Sequence, residues 1–134
     1  MPAPSLPRPT DAELTILRVL WARGPSTVRQ VHDVLTSDRL LAYTTVLKLL
    51  QIMTDKGLTT RESLGLQHLY TARRTEQDTQ RQLVKDLLDR AFDGLTSQLV
   101  MQALATTAAS PEELREIRRL LAAAGAPAAR EKKS

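Results

Sequence analysis

The chain has 134 residues, a formal net charge of +4, 42% hydrophobic residues and no cysteine. This length suits one domain or two very small ones, and the few aromatic side chains predict an aliphatic core. The lack of cysteine excludes disulfides, thiolate metal sites and cysteine nucleophiles. No apolar run approaches the ~20 residues that cross a bilayer, and the first residues lack the layout of a signal peptide. We therefore expect a cytoplasmic protein without membrane insertion.

Charge is divided unevenly along the chain. Residues 1–74 hold ten Lys and Arg against six Asp and Glu, whereas residues 75–134 hold nine of each. A basic half beside a neutral half suggests a polyanion-binding module that is joined to a protein-binding one.

The first helix is predicted to follow residues 1–7, which we expect to form a flexible tail. Thr10 and Glu13 have the spacing of a capping box, and Gly24 marks the end of the apolar periodicity. Trp21 lies in the apolar stripe of this helix and is predicted to be a core residue.

A second helix is predicted to begin after a cap at either Ser26 or Thr27. His32 lies on its polar side and is predicted to be a solvated surface residue. The apolar face is predicted to carry Val28, Val31, Val34 and Leu35.

Residues 41–58 are the most informative part of the chain. Apolar residues at 46, 49, 50 and 53 predict a third helix with one buried stripe, and Gly57 suits the left-handed residue that closes it. The first carboxylate on its polar face is Asp55, and the face opens with hydroxyls and one cation. Such a helix suits the major groove of DNA, and the alternative is the surface helix of an ordinary small domain.

A hairpin is predicted after the third helix, because the apolar period changes there from 3.6 to 2. Residues 58–62 and 67–71 read as its strands, with Gly65 in the turn. Three helices followed by a β-hairpin wing make a winged helix-turn-helix, which we predict at residues 8–74.

Three further helices are predicted in residues 75–124, so the fold class is mainly α. Thr75 and Ser110 cap the first and the last of them, and Gly125 ends the last, leaving a flexible tail at 125–134. Three short helices cannot enclose all their Leu and Val surface alone, so we predict a dimerisation domain; the alternative is that they fold back on the wing domain. The dimer interface is predicted to contain Leu87, Leu88, Leu99, Leu114, Ile117 and Leu121.

Four segments together carry a family resemblance: DAELTILRVLW at 11–21, TVRQVH at 27–32, AYTTV at 42–46 and KGL at 56–58. With them the chain resembles the penicillinase-repressor family of BlaI-like and MecI-like winged-helix regulators, over roughly residues 8–122. The resemblance implies a homodimeric repressor that binds dyad-symmetric operator DNA. It also implies a membrane sensor-protease pathway that triggers cleavage of the repressor in its C-terminal domain.

The resemblance further implies which residues contact DNA. The base-reading helix of the family falls on residues 43–53 of this chain and its wing on residues 61–70. The alternative for each arginine is a plain solvated charge. The family's contacts fall mainly on Thr44, Thr45 and Lys48. The residues themselves add Tyr43 and Gln51 on the same helix, and Arg29, Arg39, Arg61 and His68 as further predicted DNA contacts. For Tyr43 the alternative is a structural packing role at the start of the helix.

The chain departs from the family pattern at three points. Ile52 stands where many relatives have a basic residue. The bond that is cleaved in the family, between Asn and Phe, aligns with Gln102-Ala103. The C-terminal cysteine ligands of the copper-responsive branch are absent, so we expect no copper sensing of that kind.

No motif for catalysis or for a cofactor is present in the sequence. His32 and His68 are more than thirty residues apart and have no cysteine to complete a zinc site. We therefore expect no enzyme, cofactor or metal. The functional hypothesis is a transcriptional repressor; its alternative is a winged-helix protein–protein assembly module without DNA binding, which would expose apolar residues where the third helix has Thr and Lys.

Overall fold

The computed structural model describes residues 8–36 and 41–133, with side chains as far as residue 125. None of the helices in this part of the chain is long and apolar enough to span a bilayer. The elements are α1 (Asp11–Arg23), α2 (Val28–Leu35), α3 (Tyr43–Lys56), β1 (Thr59–Leu64), β2 (Gln67–Ala72), α4 (Glu76–Ala91), α5 (Thr96–Thr106) and α6 (Pro111–Lys133).

The chain divides into two compact units, Met1–Lys85 and Asp86–Ser134. The division falls inside α4, because the start of this helix packs on the first unit, where Thr79 is only 5% exposed. Thr79 lines a small pocket of the first unit together with Leu17 and Leu58. A winged-helix domain that ends at residue 74 stays a prediction, and so does the dimerisation domain at 75–124.

The first two helices both begin with a capping box. The N–H of Glu13 donates to Thr10 Oγ1 (3.2 Å) and its carboxylate accepts the N–H of Thr10 (2.9 Å), which confirms the predicted start of α1. At α2 the cap is Thr27 rather than Ser26. The N–H of Gln30 donates to Thr27 Oγ1 (3.3 Å) and its side chain accepts the N–H of Thr27 (3.0 Å).

The core of the first unit is aliphatic and is shared by α1, α2, α3 and the hairpin. Leu49 packs beside it, so the predicted stripe of α3 is confirmed. Val34 lies at the edge of the inward face of α2 and is 37% exposed, contrary to prediction. Trp21 is half-buried against the core, and its Nε1 donates to the carbonyl of Arg74 at 2.9 Å. The fully buried apolar side chains are Ile16, Val31, Val46, Leu50, Met53 and Tyr70.

The hairpin is longer than the sequence predicted. Its antiparallel register runs from Thr59 opposite Ala72 to Leu64 opposite Gln67, which leaves a two-residue turn. Gly65 in that turn has φ +63°, a left-handed conformation that tight hairpins require and that glycine adopts without strain. The predicted role of Gly65 is confirmed.

Two further long-range polar contacts of the first unit, like the one from Trp21 to Arg74, were not predicted. Lys56 at the end of α3 donates to the buried Glu13 carboxylate at 2.7 Å, so one acid both caps α1 and ties it to α3. Ser26 forms an isolated antiparallel bridge with Tyr70 of β2, with N–H to carbonyl distances of 2.9 and 2.8 Å. This bridge fixes the start of α2 against the hairpin.

The helix starts of the second half agree with prediction, but the last helix end does not. Thr75 Oγ1 accepts the N–H of Asp78 (3.0 Å), and Ser110 and Glu113 cap each other reciprocally. α6 runs on past Gly125. That glycine does not adopt a positive φ, and the alanines around it are the strongest helix formers. Residues 1–7, predicted as the other tail, lie outside the described residues.

The second unit has no buried side chain among its described residues. This holds for every residue from 86 to 125, the part of the unit whose side chains the structure describes. Helices whose apolar side chains are all exposed or half-buried have no hydrophobic core of their own. The large apolar side chains that are between 43% and 62% exposed in this unit are Leu87, Leu95, Met101, Leu104, Leu120 and Leu121.

Candidate nucleic-acid interface

The start of α3 presents the predicted polar face to solvent. Its N-cap is Ala42, which offers no side-chain acceptor, so no side chain among the described residues caps the first N–H groups of the helix. These N–H groups and the helix dipole together favour a negative charge at this end. The exposed side chains along the face are Tyr43, Thr44, Thr45, Lys48 and Gln51.

The structure brings two residues of α2 against Tyr43. The Cζ of Arg29 lies 5.5 Å from the centroid of the Tyr43 ring, close enough for a cation–π contact. The ring of His32 meets the Tyr43 ring edge-on at 5.7 Å. His32 is therefore not the solvated surface residue that the sequence predicted. Its Nδ1 is buried without a hydrogen-bond partner and lies 3.9 Å from Asp33 Oδ1.

An open cleft of about 240 Å³ lies between the starts of α2 and α3 and the hairpin. It collects Arg29, Tyr43 and His68, three of the predicted DNA contacts. Tyr70 was not predicted to take part in a site; its side chain is fully buried and its Oη lacks a hydrogen-bond partner. No sequence signal separates this tyrosine from a core residue. The cleft is lined by Thr27, Val28, Arg29, Tyr43, Leu47, Leu66, Gln67, His68 and Tyr70, none of which is acidic.

The remaining predicted contacts lie elsewhere. Arg61 is exposed on β1 and lines a different shallow pocket, with Glu62 and Leu69 among its neighbours. Arg39 lies outside the described residues. Leu66, at the hairpin tip, is fully exposed, and no role was predicted for it.

The predicted dimer residues all belong to the apolar surface of the second unit. Leu87 and Leu121 are 49% and 62% exposed. Leu88, Leu99, Leu114 and Ile117 are half-buried within the chain. Their role in pairing stays a prediction.

The charged groups of α6 form an ordinary solvated face. Arg119 Nε donates to the Glu116 carboxylate at 3.0 Å, and this hydrogen bond lowers the pKa of Glu116 from its usual value. Both side chains are exposed, so the pair contributes little to stability. Across the residues that the structure describes, no three His, Cys, Asp or Glu side chains gather as a metal site.

Comparisons of the sequence with known proteins all relate this chain to penicillinase repressors or BlaI regulators. The sequence profile described as penicillinase repressor matches residues 9–123. The chain is 35% identical over 97 residues to the transcriptional regulator BlaI of Mycobacterium tuberculosis, which covers 72% of this chain and 70% of that protein. It is 24% identical over 116 residues to the penicillinase repressor of Bacillus licheniformis, covering 87% and 91% of the two chains.

Among solved structures, the chain is similar to the solution structure of the DNA-binding domain of the repressor BlaI. The TM-score is 0.50 at 24% sequence identity, and the match covers 57% of this chain and 93% of that one. The likeness confirms the winged-helix fold that the order of elements predicted.

Proposed function

Because the chain belongs to the penicillinase repressor family, we propose that it is a homodimeric transcriptional repressor that binds a dyad-symmetric operator. The named relatives are a transcriptional regulator and a penicillinase repressor, which supports a regulatory rather than a catalytic role. A protein of this kind would act in the cytoplasm, where the operator DNA is.

The observation that carries the proposal is the exposed, acid-free start of α3. Thr44 and Thr45 offer hydroxyls and methyl groups to base edges, and Lys48 offers a cation to a guanine edge or to a phosphate. The uncapped N–H groups of the first turn suit a backbone phosphate. Tyr43 and Gln51 extend the same face, and Arg29, Arg39, Arg61 and His68 are proposed to contact the backbone around it.

Pairing through the second unit is the other half of the proposal. Its helices expose large apolar side chains and bury none of them in the described part of one chain. A second copy supplies the missing cover, through the surface that includes Leu88, Leu99 and Ile117. Two linked reading helices make the second binding event intramolecular, which raises affinity by about 10²–10⁴. The half-sites would then lie one helical turn, or a multiple, apart.

The same arrangement suggests how repression would be relieved. We propose that a membrane sensor-protease pathway acts on the second unit, because cutting or separating α4–α6 would uncouple the two wing domains. Gln102 and Ala103, which align with the bond cleaved in the family, are both exposed on α5. Their side chains differ from the Asn and Phe of that bond, so a different bond in this unit is the expected target.

The proposal is tested by selecting fragments of the source genome on the purified protein and measuring affinity for the selected site as salt is raised. A dimer that makes about 6–10 phosphate contacts should lose about 10³–10⁵ in affinity between 50 and 200 mM salt. A scrambled site of equal length is the control for sequence preference. No selected site, or an affinity that does not change with salt, would favour the protein–protein assembly module instead.

A further inference from the structure

Tyr70 combines complete burial with an unused hydroxyl. Its side chain is 0% exposed, and its backbone is fixed by the bridge to Ser26. Among the described residues, His32 Nδ1 is the only other buried side-chain N or O atom without a hydrogen-bond partner. A buried hydroxyl without a partner costs stability that phenylalanine would not cost. Packing alone therefore does not explain a tyrosine at this position.

The cleft that Tyr70 lines has the electrostatics of an anion site. Arg29 of α2 and His68 of β2 both line it, and the His68 ring meets the Tyr70 ring edge-on at 6.3 Å. No acidic side chain belongs to the lining. The volume of about 240 Å³ has room for a phosphate group and part of its sugar.

The start of α2 adds backbone donors to the same place. The capping box uses the N–H groups of Thr27 and Gln30. Those of Val28 and Arg29, in the first turn, have no acceptor within the helix. Thr27 and Val28 both line the cleft, so the positive end of the helix dipole belongs to its wall.

We propose that this cleft holds one backbone phosphodiester of each DNA half-site, with the Tyr70 hydroxyl donating to a phosphate oxygen between Arg29 and His68. The inference rests on the proposed DNA-binding function and adds a positioning residue to it. Oη is covered in the free protein, so the side chains around it, among them the exposed His68 that meets its ring, move aside as the phosphate enters. A phosphate contact fixes the register of the protein on DNA and carries no sequence information.

The test is Tyr70→Phe in the full-length protein, which removes one oxygen and keeps the ring. We expect affinity for the operator and for unrelated DNA to fall by the same factor, about tenfold to a hundredfold, because a hydrogen bond to a charged group is lost. The melting temperature should stay the same or rise, since the lost hydroxyl had no partner in the free protein. Unchanged DNA affinity, or a fall in stability together with affinity, would overturn the inference.

Two further experiments identify the anion that the cleft binds. Neutral methylphosphonate linkages are placed one at a time in the operator. One position per half-site should weaken the wild type more than Tyr70→Phe, because the variant has already lost one of the contacts to that phosphate. All other positions should affect both proteins equally, which is the control. Inorganic phosphate alone should shift the amide NMR signals of Val28 and Arg29 only at millimolar levels. Saturation at micromolar phosphate would assign the cleft to a free ligand and overturn the backbone contact. A wild type that binds no DNA would reject the proposed function itself.

Discussion

Lys48 lies on the exposed face of α3, one turn after Thr44, and is the cation nearest to the proposed base-reading residues in sequence. We expect Lys48→Ala to weaken operator binding by about 1–3 kcal/mol and to relax preference at one position per half-site, if the ammonium reads a guanine edge. Electrophoretic shifts on single-base operator variants measure both effects. Arg115→Ala removes the same charge from α6 and should leave base preference unchanged. Equal weakening on every sequence would reduce Lys48 to a phosphate contact.

Glu13 has two partners, the N–H of Thr10 and the ammonium of Lys56, and is 2% exposed. We expect Glu13→Ala to lower the free energy of unfolding by about 1–3 kcal/mol, because a cap and a hydrogen-bonded ion pair are both lost. Lys56 is partly exposed, and solvent screening keeps its share small. Urea denaturation measures the free energy of unfolding of each protein. Glu13→Gln keeps the acceptor and should cost less; equal stability of all three proteins would show that the pair contributes nothing.

At the scale of elements, the glycines at positions 57 and 125 differ in backbone conformation and in their effect on the helix. Gly57 closes α3 with φ +86°, and an added Cβ would lie 3.3 Å from Arg73 Nη1. Gly125 has no positive φ, and a Cβ added there would meet no described atom within 4 Å outside the backbone of its own helix. We expect Gly57→Ala to destabilise the protein by about 1–3 kcal/mol through backbone strain. Gly125→Ala should stabilise α6 by about 0.5–1 kcal/mol, because alanine is the better helix former. Thermal melts of both variants measure the contrast. Equal melting temperatures would contradict it.

The order of elements and most helix starts could be predicted from the sequence, because capping boxes and apolar periods are local signals. Thr10 with Glu13 and the stripe through Val46 and Leu50 are examples. The Glu13–Lys56 pair and the cleft around Tyr70 could not be predicted, because they join residues far apart in the chain that meet only in the folded core. Of the predicted DNA contacts, the structure gathers Arg29, Tyr43 and His68 and places Arg61 elsewhere.

Pairing is a property of the whole molecule, and substitutions at Ile117 test it. Its side chain is half-buried on α6 within one chain. We expect Ile117→Asp to make the full-length protein monomeric where the wild type forms the proposed dimer, because pairing would bury an unpaired carboxylate. Operator affinity should then fall by about 10²–10⁴, as the second binding event ceases to be intramolecular. Sedimentation equilibrium and DNA titration follow the two effects. Ile117→Leu keeps the apolar contact and should remain dimeric. A monomeric Ile117→Asp with full affinity would separate pairing from DNA binding.

The second unit, whose described side chains are all at least partly exposed, would make the response of the protein depend on its own abundance if two copies pair through it. If this unit acquires a core only by meeting another copy, its folding is second order in protein concentration. At low levels, doubling the number of chains would roughly quadruple the number of dimers, so promoter occupancy would rise and fall more steeply than the supply of the protein. Dilution at cell division, or modest proteolysis, would then open the promoter abruptly, and a small burst of synthesis would close it again.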